Sequence, residues 1–137
     1  MIKVGIIGGS GLDNPEILNG FKEIEFDTKY GKPSDKLIIG KLGNAEVIIL
    51  PRHGKGHILS PTQVNYRANI QALKDQKVDY ILTTTACGSL REEIGRGNFV
   101  ILDQFIDFTK YRKITFHDDF SNGIKHTPMV APFDEKF

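Results

Sequence analysis

Ile2-Lys3-Val4-Gly5-Ile6-Ile7, running into Gly8-Gly9-Ser10-Gly11, is the stretch that decides the fold. A short, β-branched, apolar run stopped by glycines reads as a buried strand entering a tight turn. Further on, Ser60-Pro61 opens a helical pattern expected over residues 61–76, with Ser60 as N-cap and Pro61 in the first turn. Val64, Ala68 and Ala72 recur at four-residue intervals there, and Ile70 and Leu73 widen the apolar face. Residues 78–84 (VDYILTT) read as a second buried strand, and residues 99–108 (FVILDQFIDF) as a third. A strand, a glycine loop, a helix and a further strand predict an α/β fold.

The remaining elements fit around that frame. Asn14 and Pro15 predict a short helical turn, with Asn14 as cap. Residues 37–42 (LIIGKL) and 45–50 (AEVIIL) flank Gly43-Asn44, a two-residue hairpin signal. After Thr109 the sequence turns polar and irregular. Strands this apolar expect helices on both faces, and only one strong helix is legible, so the α/β layer reads as truncated.

Composition sets the outer limits. The 137 residues carry 18 Lys+Arg against 17 Asp+Glu, a balance that removes the electrostatic argument for nucleic acid or an anionic membrane. The hydrophobic share of 39% is that of a folded domain rather than a disordered chain. No apolar run is long enough to span a bilayer, and the N-terminus carries no signal-peptide pattern. Cys87 has no second cysteine to pair with, which together with the missing signal predicts a reducing, cytoplasmic setting.

Three loops follow the carboxyl ends of expected strands, where open α/β sheets place their ligands. Gly8-Gly9-Ser10-Gly11 lets the backbone approach an anion, though a plain tight turn explains it equally well. Arg52, His53, Lys55 and His57 crowd the second loop, separated by Gly54 and Gly56. Arg offers a planar fork to phosphate and His an adjustable donor, so anion binding fits better than a solvated loop or a metal pair at His53 and His57. The third loop, Thr83-Thr84-Thr85-Ala86-Cys87-Gly88-Ser89, is rich in hydroxyls. Cys87 has no evident base and reads as a small pocket-lining residue rather than a nucleophile.

Other candidates read as structural. Glu92-Glu93 and Asp118-Asp119 are adjacent pairs, expected to be solvated or capping. Asp103 and Asp107 would share one face of the 99–108 strand, with a buried hydrogen-bonding role expected for one of them, and Phe99, Phe105 and Phe108 are expected in the core.

Taken in order, VGIIGGSGL, PRHGKGH, PTQVNYRANIQALK, TTTACGSLREEI, GNFVILDQFIDFT and HTPMVAPF resemble the 5′-methylthioadenosine phosphorylases, within the trimeric purine nucleoside phosphorylases. The resemblance runs along nearly the whole chain. It implies a phosphorylase-type mixed β-sheet flanked by helices. It also implies phosphorolysis of methylthioadenosine to adenine and 5-methylthioribose 1-phosphate, a purine and methionine salvage step, in a homotrimer. Phosphate is then a co-substrate, with no metal and no organic cofactor.

Carried over by position, Ser10, Arg52, His53, Thr85 and Ala86 are the implied phosphate site. Ala86, Cys87 and Gly88 are the implied floor beneath the nucleoside, with His57 beside phosphate or sugar. His126 resembles a histidine lent to a neighbouring subunit's pocket. Ser10 stands where some members have threonine, which keeps the hydroxyl. The family's purine-protonating aspartates find no match, so residues 1–137 are expected to be the N-terminal part of a single nucleoside phosphorylase domain: a truncated product, a fragment, or one chain of a split enzyme. The alternatives are a phosphorylase for another purine nucleoside, or a non-catalytic half that binds phosphate or a partner chain.

Overall fold

The computed structural model describes residues 1–9, 11, 12 and 14–136. They fall into two compact units, Met1–Ala86 and Cys87–Phe137. The first unit contains β1 (Lys3–Gly8), β2 (Asn19–Ile24), β3 (Leu37–Leu42), β4 (Ala45–Pro51), α1 (Tyr66–Asp75) and β5 (Tyr80–Thr83).

The strands form one mixed sheet in the order β2-β3-β4-β1-β5. β1 lies between β4 and β5 and runs parallel to both. β3 and β4 form the expected hairpin, closing with Leu42 opposite Ala45. β2 joins antiparallel to β3 at the edge. Its residues are almost all exposed, which explains why no hydrophobic alternation announces it.

The two-residue strand period sorts the core into two faces. Ile7, Leu37, Ile48 and Leu50 point to one face and pack with Ala72 and Leu73 of α1. Ile38, Val47 and Ile49 point to the other, where Leu18 joins them. Leu18 follows a short 3-10 turn, Pro15–Ile17, whose cap is the expected Asn14. The Asn14 carboxamide oxygen accepts from the Glu16 N–H at 3.0 Å.

The strand expected over residues 78–84 is shorter, as β5, and lies at the sheet edge with none of its residues buried; three further expectations need correction. The helix begins at Tyr66 rather than residue 61, with Asn65 as its cap. Ser60 and Pro61 instead open a separate turn, in which the Gln63 N–H donates to the Ser60 carbonyl at 2.9 Å. Asn65 interrupts the helical run because its side chain takes the Ala68 N–H at 3.2 Å, while its amide reaches the Tyr30 carbonyl at 2.8 Å.

Secondly, residues 99–108 form no strand: residues 87–136 contain neither helix nor strand. A strand exists only through pairing, and no described segment of the second unit pairs with this one. Phe99, Phe105 and Phe108 are accordingly exposed, not core, with Phe105 meeting the Phe133 ring edge-on at 6.0 Å.

Thirdly, Asp103 and Asp107 are both exposed. Asp107 accepts from the Thr109 N–H at 2.8 Å, and the Thr109 side-chain and backbone hydrogen bonds hold its carboxyl below the usual aspartate range. Asp119 is lowered likewise by the Ser121 backbone and hydroxyl, in keeping with its expected solvated role.

Candidate functional site

β1, β4 and β5 end on the same side of the sheet because they are parallel, and the loops they feed meet around the end of β1. Two backbone carbonyls at that end extend the ladder. Gly8 accepts from the Arg52 N–H at 2.9 Å, and Ile7 accepts from the Thr84 N–H at 3.2 Å. Arg52 and Thr84 therefore flank the end of β1. The Arg52 guanidinium bridges the gap: its Nη1 donates to the Thr84 carbonyl at 2.7 Å. Gly9 lies beneath this bridge, and a β-carbon there would stand 3.0 Å from Arg52 Nη2. Close approach to the guanidinium, rather than a left-handed backbone angle, is what favours glycine there.

The second loop is shaped by its own hydrogen bonds. His53 Nδ1 lies 2.8 Å from the Leu59 carbonyl, which can only accept, so that nitrogen carries the proton. Nε2 is left to accept from Arg52 Nε at 3.1 Å. The chain then bends through Gly54, at φ +71°, and returns with the His57 N–H on the Gly54 carbonyl at 3.1 Å. The His57 ring stacks on His53 with centroids 5.7 Å apart and an interplanar angle of 16°. A cavity of about 240 Å³ lies beside Arg52, lined by Ile7, Tyr66, Asn69, Ile70 and Thr83.

Of the expected phosphate residues, the structure joins Arg52 directly to His53 and sets Thr85 next to the carbonyl that Arg52 grips. Thr85 and Ala86 are exposed. Ser10 lies outside the described residues. Cys87, Gly88 and His126 belong to the second unit, where each is exposed. The chemistry available at the first unit's site is that of a half-buried, permanently charged guanidinium with imidazole and hydroxyl neighbours, suited to holding an oxyanion.

Sequence reading overlooked the groups that support these loops. Lys55 N–H donates to the Asp35 carboxylate, and Asn69, almost fully buried, bonds both the Ser34 N–H and hydroxyl, at 2.8 and 2.9 Å. Only the turn-forming character of Pro33-Ser34-Asp35 hinted at them, and no local pattern pairs that turn with residues so distant in sequence.

The sequence profile described as the phosphorylase superfamily matches residues 3–137. The chain is 55% identical over 139 residues to the S-methyl-5′-thioadenosine phosphorylase of Xenopus tropicalis, covering 98% of this chain and 50% of that protein. It is 51% identical over 130 residues to the protein of that name from Saccharolobus solfataricus, covering 95% and 47%. Among solved structures, methylthioadenosine phosphorylase from Schistosoma mansoni in its apo form superposes with a TM-score of 0.90 at 47% identity, over 99% of this chain and 50% of that one. A point mutant of the adenosine/methylthioadenosine phosphorylase from the same organism, in complex with methylthioadenosine, gives 0.89 at 47% identity, over 99% and 49%. The chain thus spans about half the length of the relatives it matches.

Proposed function

The chain belongs to the phosphorylase superfamily, and on that premise we propose that it supplies the phosphate-holding side of an enzyme that splits 5′-methylthioadenosine by phosphorolysis. The observation that carries this reading is the Arg52 guanidinium fixed across the end of β1, over Gly9 and onto Thr84.

In the proposed reaction a phosphate oxygen attacks the anomeric carbon, and the bond from that carbon to the purine nitrogen breaks. The purine leaves with a proton as adenine, and the sugar leaves as 5-methylthioribose 1-phosphate. The glycosidic bond breaks through a cationic sugar, so an anionic nucleophile held beside it both stabilises charge and removes the entropy cost of encounter. Arg52 provides the fixed charge, with Ser10, Thr85 and the Ala86 backbone as further donors and His53 at the site orienting the Arg52 guanidinium. Ala86, Cys87 and Gly88 are assigned to the floor under the nucleoside, and His57 to the sugar side. The group that protonates the purine is assigned to the half of the enzyme that these 137 residues do not represent.

The reading includes a cytoplasmic homotrimer, in which His126 reaches a neighbouring subunit's pocket, and a reaction that uses no metal or organic cofactor. The high identity to proteins named for this activity favours methylthioadenosine over other purine nucleosides. The test is adenine release from methylthioadenosine by the whole protein, with and without inorganic phosphate. Phosphate-dependent release is expected; release that ignores phosphate would point to hydrolysis and overturn the proposal.

A further inference from the structure

We infer that Asp35 is a positioning residue for the Arg52–His57 loop, holding it in the shape that presents Arg52 and His53 to phosphate. The inference rests on the phosphate reading above and adds a residue to it.

The loop closes on itself through the Gly54, His57 and Leu59 N–H groups, but none of these three bonds holds the Lys55 N–H at its middle. Gly54 and Gly56 both sit at positive φ, as does His57, so between Pro51 and Leu59 the chain passes through three left-handed residues. Glycines have the most conformational freedom to lose on ordering, so an external anchor at the middle of the loop adds to its internal bonds. Asp35 is that anchor. One carboxylate oxygen takes the Lys55 N–H at the middle of the loop, while the other takes the Lys36 N–H at 2.7 Å and sets the carboxylate's direction. The Ser34 carbonyl also packs against Gly54, where a β-carbon would meet it at 3.1 Å.

The segment that carries Asp35 is itself tied down. Asn65 donates to the Tyr30 carbonyl at 2.8 Å, and Asn69, one helical turn later, clasps Ser34 from both sides. Asn69 is the one polar residue among the described buried set, and its buried amide is satisfied by this clasp. A path of hydrogen bonds therefore runs from α1, through residues 30–36, to Lys55 and the loop that carries Arg52 and His53.

Geometry and charge predict opposite outcomes for removing Asp35. A carboxylate near an anion site repels phosphate, so on charge alone its removal strengthens binding. If Asp35 positions the loop, its removal weakens binding despite that relief. The experiment compares wild type, Asp35→Ala and Asp35→Asn in the whole protein. Inorganic phosphate affinity is measured by calorimetry, and the Lys55 and His57 amides are followed by hydrogen exchange.

Asp35→Ala is expected to bind phosphate about tenfold more weakly, the scale of a lost hydrogen bond to a charged group. Asp35→Asn can keep its amide oxygen on the Lys55 N–H while giving up the Lys36 N–H, and is expected to stay within about threefold of wild type. Lys55 exchange should quicken in the alanine variant and not in the asparagine variant. Asp35→Ala binding phosphate as tightly as wild type, or more tightly, overturns the inference, as does an asparagine variant no better than alanine. Should wild type itself bind no phosphate, the functional reading fails. The exchange comparison then still decides the positioning role, and an unchanged Lys55 amide refutes it.

Discussion

Arg52 and His53, neighbours in sequence, are hydrogen-bonded to each other through their side chains, Arg52 Nε donating to His53 Nε2 at 3.1 Å. The pair is oriented from both ends, by the Leu59 carbonyl on the far side of the imidazole and by the Thr84 carbonyl at the far end of the guanidinium. Each side chain is thereby held at the mouth of three converging strands. Preorganised donors of this kind cost little rearrangement when an anion arrives.

Replacing Arg52 by alanine removes the fixed charge and leaves His53 without its partner. A charge-assisted contact to phosphate contributes about 1.5–3 kcal/mol, so Arg52→Ala should weaken phosphate binding by about 10- to 150-fold. Initial rates against phosphate concentration, at saturating nucleoside, measure it. Arg52→Lys should recover only part of the loss, because an ammonium cannot serve Thr84 and His53 from one planar fork.

Gly9→Ala tests the close approach. The new methyl group would sit 3.0 Å from Arg52 Nη2, so the guanidinium must give by a few tenths of an ångström beside the Thr84 carbonyl. The expected result is a raised phosphate KM with a thermal midpoint close to wild type, since the displaced group is the end of a flexible side chain.

Much of this was legible beforehand, and the pattern of what was not is physical. β1 and the β3–β4 hairpin are β-branched runs bounded by glycines, so they announce themselves. β2 does not, because an exposed edge strand needs no hydrophobic alternation. At Ser60-Pro61 a good start signal competed with Asn65, and the better-connected cap won. Residues 99–108 have strand composition without a strand partner in their own unit. Arg52 and His53 could be picked out by residue type and by following a strand. Asp35 and Asn69 could not, since their contacts are made across 20 and 35 residues.

Leu73 is fully buried in the cluster where α1 meets Ile7, Leu37, Ile48 and Leu50. Leu73→Ala should cost about 2–5 kcal/mol of stability, through lost transfer energy and the cavity left behind. Denaturant unfolding followed by circular dichroism checks the value. The same truncation at the exposed Leu90 should cost almost nothing.

The second unit makes a prediction in pH. Asp107 and Asp119 have carboxyls lowered by hydrogen bonds from Thr109 and Ser121. A depressed value means the folded turn binds its proton less readily than the unfolded chain. The turns are therefore fully supported above the ordinary aspartate pKa and lose that support as pH falls through the lowered values. Carboxyl carbon shifts in an acid titration should give midpoints for both below the ordinary aspartate value, and Thr109→Ala and Ser121→Ala should move them upward.

The ends of β1, β4 and β5 are proposed to form one phosphate site around Arg52. Amide and side-chain chemical shifts recorded during titration with inorganic phosphate test it most directly. Saturable shifts concentrated at Gly9, Arg52, His53, Thr84 and Thr85, abolished by Arg52→Ala, are the expected result. Shifts that fail to saturate, or that scatter over exposed lysines and survive the loss of Arg52, would contradict it.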